Sequence, residues 1–224
     1  MSSVEIPCAG ETLTLLAERA IFWASQRTLL IADPHFGKDA TFRAAGIALP
    51  PGTLDADLTR LERVLATTGA ERLIVLGDFF HARPGRTADT LAALVDWRER
   101  HAALDLVLVR GNHDRHAGPP PAEWRITDAG ECLALPPFLC CHLPAPVQQE
   151  APGEQADSYR LAGHLHPAVT LGGRASDQLR LPCFWFGPTQ AILPAFGSFT
   201  GGFTIRPGAR DRVYAISPAG VHAV

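Results

Sequence analysis

Three short runs of branched apolar residues constrain this chain most: Leu29-Leu30-Ile31-Ala32, Leu73-Ile74-Val75-Leu76 and Leu106-Val107-Leu108-Val109. Each has the length of a strand and is apolar at every position. A strand with one wet face alternates polar and apolar residues, whereas one covered on both faces does not. The runs therefore predict strands of a sheet covered on both sides. Between them the apolar period lengthens to that of a helix. One helix is predicted from about Leu54 to Thr67, with Leu54, Leu58, Leu61 and Leu65 on one stripe, Thr53 as N-cap and Gly69 as stop. Another is predicted from about Thr87 to Arg100, with Leu91, Leu94, Val95 and Arg98 along a face. Strand-helix-strand-helix-strand is a βαβαβ unit, and the chain is expected to be α/β.

The second half has a different texture. Pro and Gly are frequent, and the apolar runs at 132–135, 138–141, 160–162, 181–186, 190–193 and 212–216 predict strands in turns and hairpins. Gly118-Pro119-Pro120-Pro121 can continue neither a helix nor a central strand and marks a break between the halves. The polar segment Gln148–Asp157 is expected to be an exposed loop. With 224 residues, 46% of them hydrophobic, the expectation is a single domain spanning 1–224. The formal charge of −3 excludes a global basic signature for nucleic acid, so any such binding must come from a local patch. Lys38 is the only lysine; the other nineteen cations are arginines. The five cysteines, Cys8, Cys132, Cys140, Cys141 and Cys183, have no metal-knuckle spacing and are expected to be buried free thiols in a reducing compartment. No leader pattern or membrane-length apolar stretch is present, which predicts a soluble, cytoplasmic protein with no membrane partner.

Each of the three apolar runs ends in ligating chemistry. Asp33-Pro34-His35 follows the first, Gly77-Asp78-Phe79-Phe80-His81 the second, and Gly111-Asn112-His113-Asp114 the third. Ligand sites in open α/β sheets lie beyond the carboxyl ends of strands, so these segments are expected to meet. The second half adds Cys141-His142-Leu143-Pro144 and Gly163-His164-Leu165-His166, again after apolar runs. Imidazole and carboxylate suit manganese, iron and zinc, and the lack of thiolates argues against a structural zinc knuckle. Asp33, His35, Asp78, Asn112, His142, His164 and His166 are too many for one ion that keeps an open position. They suit two divalent ions roughly 3.5–4 Å apart, with Asp78 as the bridging carboxylate. The glycines before Asp78, Asn112 and His164 permit backbone to pass close to the ions.

This ordered set, D-x-H, G-D-x-x-H, G-N-H-D, H and G-H-x-H over roughly Leu29 to Thr170, resembles the calcineurin-like metallophosphoesterase superfamily. The resemblance implies a four-layer αββα sandwich of two mixed sheets flanked by helices. It implies that Asp33, His35, Asp78 and His166 hold one ion, and that Asp78, Asn112, His142 and His164 hold the other. It further implies hydrolysis by metal-activated hydroxide, attacking phosphorus in line with the leaving oxygen. His113 would then face the leaving group as acid or charge-stabilising donor, with Asp114 orienting His113 and supporting its charge.

The flanks narrow the resemblance. Asp33-Pro34-His35-Phe36-Gly37-Lys38, Phe42-Arg43-Ala44-Ala45-Gly46, Gly77–Arg83 and Leu193–Gly197 followed by Thr200-Gly201-Gly202 are similar to the bacterial ligase-associated DNA damage response endonucleases, the PdeM family. That family implies manganese-dependent cleavage of single-stranded DNA in DNA repair, and functional association with an ATP-dependent DNA ligase, a helicase and an exonuclease-like protein. Lys38, Arg43, Arg83 and Arg86, with Arg110 and Arg115, are candidate phosphate contacts. Phe36, Phe42, Phe79 and Phe80 are candidates for base stacking, with core packing the expected role for most. His81 is assigned an outer-shell or substrate role. The short span from Asp114 to His142 leaves no room for a large cap domain, which implies an open cleft. Two rivals share the motif set: a phosphodiesterase or phosphatase for a small molecule such as a cyclic nucleotide or dinucleoside polyphosphate, and a non-catalytic interaction protein that keeps the fold.

Overall fold

The computed structural model describes residues 3–49, 52–146, 158–172 and 178–224. The expected loop Gln148–Asp157 lies outside the described residues. Two mixed β-sheets pack face to face, flanked by helices, as the α/β expectation required. The first sheet runs, in spatial and chain order, β1 (Val4–Cys8), β2 (Glu11–Leu16), β3 (Ala20–Trp23), β4 (Thr28–Ile31), β5 (Arg72–Leu76), β6 (Asp105–Val109) and β7 (Thr127–Asp128). Strands β1 to β4 form an antiparallel meander, and β4 to β7 are parallel. Pro7 is tolerated because β1 is an edge strand.

The three apolar runs divide their side chains as a doubly covered sheet must. Leu29, Ile31, Leu73, Val75, Leu106 and Leu108 pack with the helices, whereas Leu30, Ala32, Ile74, Leu76, Val107 and Val109 face the second sheet. The helices are α1 (Lys38–Ala44), α2 (Thr53–Thr68), α3 (Ala88–Arg100) and α4 (Asn112–Ala117). Helix α2 buries Leu58, Leu61, Val64 and Leu65, and α3 buries Leu94 and Trp97. Gly69 ends α2 in the left-handed conformation, as expected. Thr53 is not the N-cap: Gly52 takes that place and Thr53 is the first helical residue. Thr87 does cap α3, accepting the Thr90 amide.

The second sheet contains β8 (Cys132–Leu135), β9 (Phe138–Cys141), β10 (Tyr159–Ala162), β11 (Pro167–Gly172), β12 (Gln178–Phe186), β13 (Gln190–Ile192), β14 (Phe203–Thr204), β15 (Arg212–Ser217) and β16 (Gly220–Ala223). Phe138, Cys140, Leu161, Phe184, Phe186 and Tyr214 fill the space between the sheets. The proline run follows α4, but the first sheet takes one more strand, β7, beyond it. Among the described residues no helix is long and apolar enough to cross a membrane.

One expectation is corrected here. Cys132 and Cys141 are not free thiols but a disulfide. They are directly opposed in the antiparallel β8–β9 pair, with Cα atoms 4.4 Å apart, a closeness that sequence spacing did not reveal. Cys8, Cys140 and Cys183 are free and buried, and burial pushes their thiols up to about 11, 12 and 12.

Candidate metal centre

The carboxyl ends of five strands converge. Asp33 and His35 follow β4, Asp78 follows β5 and Asn112 follows β6; β9 and β10, parallel neighbours in the other sheet, deliver His142 and then His164 and His166. Main-chain bonds lock the ends together. Asp33 donates to the Gly77 carbonyl at 3.3 Å, His35 to Asp78 at 3.0 Å, Gly163 to His142 at 3.0 Å and Phe196 to Ala32 at 2.7 Å. The approach is so close that side chains are excluded. A Cβ on Gly77 would lie 2.2 Å from His142 Nδ1, one on Gly111 2.1 Å from Asp78 Oδ1, and one on Gly163 2.6 Å from Asp33 Oδ2.

Backbone strain gathers at the same place. Asp33, His35, Asp78, His164 and His166 all have positive φ, between 48° and 70°. Each such residue costs roughly 1–3 kcal/mol and persists only where the surroundings over-determine it. Strain of this kind clusters at functional sites.

The side chains form three groups of possible ligands among the described residues: Asp33, His35 and His166; Asp78, His142 and His164; and His35, His81 and His113, with ligating atoms within 4.8 Å of one another in each. His35 Nε2 lies 3.4 Å from His166 Nε2 and 3.7 Å from Asp78 Oδ2. His142 Nε2 lies 3.1 Å from His164 Nδ1, 2.9 Å from Asn112 Oδ1 and 3.5 Å from Asp78 Oδ2. Asp78 thus faces the first two groups. Its Oδ1 accepts the His113 amide at 2.9 Å.

Backbone carbonyls orient the rings. The Nδ1 atoms of His142, His166 and His113 face the carbonyls of Leu76, Gly201 and His81 at 3.0, 3.2 and 2.7 Å. A carbonyl can only accept, so each Nδ1 carries a proton, and the Nε2 atoms of His142 and His166 are the ones left to present lone pairs. The interior of the cluster is therefore rich in acceptors with few protons to share. Asp33 Oδ1, fully buried, has no hydrogen-bond partner: His142 Nδ1, 3.6 Å away, spends its proton on the Leu76 carbonyl, and His166 Nε2, also at 3.6 Å, presents a lone pair. An orphaned carboxylate oxygen beside unprotonated ring nitrogens such as His166 Nε2 is what divalent cations would satisfy, so the residues fit the metals the motifs imply.

Burial dominates the electrostatics. It pushes the Asp78 carboxyl up to about 6, with His142 opposing and Asp33 adding to the rise. It holds His35 and His164 below the ordinary imidazole range, and His81 at about 4. Burial also lowers Lys38, against the pull of Asp33 and Asp78, so the chain's only lysine stands near the carboxylates.

The other candidates divide. His113 lies beside the cluster, its Nε2 3.9 Å from Asp78 Oδ2, and His81 stacks on it with ring centroids 4.9 Å apart. His81 Nδ1 also meets His35 Nδ1 at 3.4 Å, an outer position for His81. Arg83 is exposed on the following turn, and Arg43 pairs with Asp39 at 3.0 Å while staying partly exposed. Asp114 does not touch the His113 ring. Its carboxylate accepts the amides of Gly111, Asp78 and Phe79 at 2.8–2.9 Å and of Phe80 at 3.4 Å, while the His81 carbonyl orients His113. Asp114 therefore holds the loop of Asp78 onto the start of α4.

Three arginines offered as phosphate contacts are engaged elsewhere. Arg110 pairs with Asp128 and Arg115 with Glu131, and Arg86 donates to the Ala117 carbonyl and lies over the Phe80 ring. Phe36, Phe79 and Phe80 are core residues, as expected for most of the set. Phe42 is half-buried and stacks near His81. Sequence reasoning gave no role to Phe199, which packs against Phe42, or to the carbonyls of Leu76, His81 and Gly201. A carbonyl leaves no side-chain signal to read.

Residues 26–171 match the calcineurin-like phosphoesterase family. Among solved structures, the chain is similar to the nuclease MPE of Pseudomonas putida, with 43% identity over 100% of both chains and a TM-score of 0.83. YfcE, a phosphoesterase from E. coli, aligns at 17% identity over 85% of this chain and 88% of its own, with a TM-score of 0.38, too distant to carry an argument. No curated protein matches. The chain belongs to the calcineurin-like phosphoesterase family and is a metal-dependent phosphodiester hydrolase.

Proposed function

We propose that this protein is a manganese-dependent endonuclease that cuts single-stranded DNA in DNA repair. The observation that carries the metal part is the meeting of two ligand groups at Asp78 around an orphaned Asp33 oxygen. The DNA part is supported by full-length similarity to a nuclease at 43% identity. Asp33, His35, Asp78 and His166 would hold one ion, and Asp78, Asn112, His142 and His164 would hold the other. When bound, the ions supply charge for the phosphate oxygens and an activated water for attack on phosphorus. The protein's own groups do the rest. His113, its Nδ1 proton fixed on the His81 carbonyl, presents Nε2 to the leaving oxygen, where a proton on that atom stabilises the charge as the bond breaks. Lys38, Arg43 and Arg83 hold phosphates on either side of the scissile one, and the cleft is open, with one domain and no large cap.

Functional association with a DNA ligase, a helicase and an exonuclease-like protein belongs to the same reading, as does a cytoplasmic location. The test is cleavage of closed circular single-stranded DNA by the purified protein. The expectation is linearisation with Mn²⁺ and none with chelator. Failure on the circle beside efficient turnover of a cyclic nucleotide or dinucleoside polyphosphate would replace DNA with a small substrate.

A further inference from the structure

An aromatic row leaves the metal cluster on the side of Lys38. His81 stacks on His113; Phe42 stacks near His81 with centroids 6.1 Å apart and planes 28° from parallel; Phe199 meets the edge of Phe42 at 5.6 Å and 88°. Helix α1 sets this up. Lys38 and Phe42 are four residues apart and so share one helical face. The row ends in the open: Phe199 is 39% exposed, although a large aromatic side chain gains by burial.

The loop that carries Phe199 is held at its base. Asp57 on α2 accepts the Ser198 amide at 3.1 Å and pairs with Arg60 at 2.9 Å. Arg60 donates to the Phe196 carbonyl and lies 4.3 Å from the Phe196 ring centroid. Arg19 donates to the carbonyls of Ala195 and Gly197 at 3.3 and 3.1 Å, and the Thr200 hydroxyl to Gly197 at 2.9 Å. The loop presenting Phe199 is thus tied down by buried and half-buried charged groups at its base. A pre-positioned aromatic surface loses little freedom when a ligand lands on it.

Cations interleaved with exposed aromatic rings are the means by which proteins hold single strands without reading sequence: the cation takes the phosphate and the ring takes the base. We propose that Phe199, propped edge-to-face by Phe42, is a stacking surface for a nucleobase next to the scissile phosphate, with Lys38 on that phosphate's neighbour. The inference rests on the nuclease reading and adds to it which side of the centre the strand's bases occupy. It also predicts little base preference, because every base offers a flat face.

The test compares wild-type protein with Phe199→Ala, Phe42→Ala and Phe199→Trp on two Mn²⁺-supplied substrates of equal length, a mixed-sequence single strand and the same strand made fully abasic. Binding of a strand carrying 2-aminopurine, read by its fluorescence quenching, provides a second measure. Loss of one stacked base predicts a KM about tenfold higher for Phe199→Ala on the base-bearing strand, with kcat within about twofold. It also predicts weaker quenching, and near-normal values for Phe199→Trp. On the abasic strand, Phe199→Ala and wild type should match. An unchanged KM on the base-bearing strand, or an equal loss on both strands, overturns the stacking surface while leaving the nuclease reading intact. Absence of any DNA cleavage by wild-type protein overturns the nuclease reading and the stacking surface with it.

Discussion

Replacing Asp114 with asparagine separates two roles for this carboxylate. Asp114 is 8% exposed, and its two oxygens accept four main-chain amides, from Gly111 and Asp78 on one oxygen and from Phe79 and Phe80 on the other. Asparagine keeps one accepting oxygen and turns an NH₂ group against two N–H donors. Each buried donor left without a partner costs about 1–3 kcal/mol, so the loss is roughly 2–6 kcal/mol. Burial raises the Asp114 carboxyl, so removing its charge returns part of this. The net expectation is about 3 kcal/mol, which in a chain of this size lowers Tm by about 6–12 °C. Because the released segment carries Asp78, Mn²⁺ affinity should fall as well. Differential scanning calorimetry on metal-free and Mn²⁺-loaded protein measures both. If Asp114→Asn keeps its Tm and metal affinity but slows cleavage of poor leaving groups selectively, then Asp114 acts through His113 and the loop-holding account is wrong.

Three further outcomes follow from the same geometry. Gly77→Ala places a Cβ against His142 at a residue with φ of 82°, so activity should drop more than a hundredfold with a lower Tm; near-normal turnover would show that the crowding is relieved cheaply. His113→Ala should slow hydrolysis of an alkyl phosphodiester far more than that of a p-nitrophenyl one, whose leaving group needs no proton; equal slowing would remove the acid role. Metal-free protein should lose stability as pH falls from about 7 to about 5. His35, His81 and His164 are held below their ordinary value of 6.5, so the unfolded chain takes up protons there that the folded one refuses. Asp78, pushed up to about 6, works in the opposite direction and offsets part of the trend. A Tm that rises on acidification through this window would contradict the assignment of neutral buried histidines.

What could be read from the sequence was chemistry that announces itself locally. Continuous apolar runs gave β4, β5 and β6, and ligating residues at their ends gave a cluster that the structure brings together around Asp78. The N-terminal meander carries no continuous apolar run: Val4, Ile6 and Cys8 are separated by Glu5 and Pro7, and Leu13 and Leu15 by Thr14, which is the pattern of a half-buried strand. Helix α4 was hidden because its six residues, Asn-His-Asp-Arg-His-Ala, carry no apolar stripe. Arg110 and Arg115 look free in the sequence because their acid partners, Asp128 and Glu131, lie 18 and 16 residues away. The role of Asp114 depended on which amides the folded chain turns toward it. The Cys132–Cys141 pairing depended on strand register.

The central claim is that two metal ions share Asp78. Titration of metal-free protein with Mn²⁺, followed by calorimetry, tests it most directly. The account predicts two ions per chain for the wild type and no more than one tightly bound ion for Asp78→Ala. A single ion in the wild type, or two undiminished sites in Asp78→Ala, would contradict it.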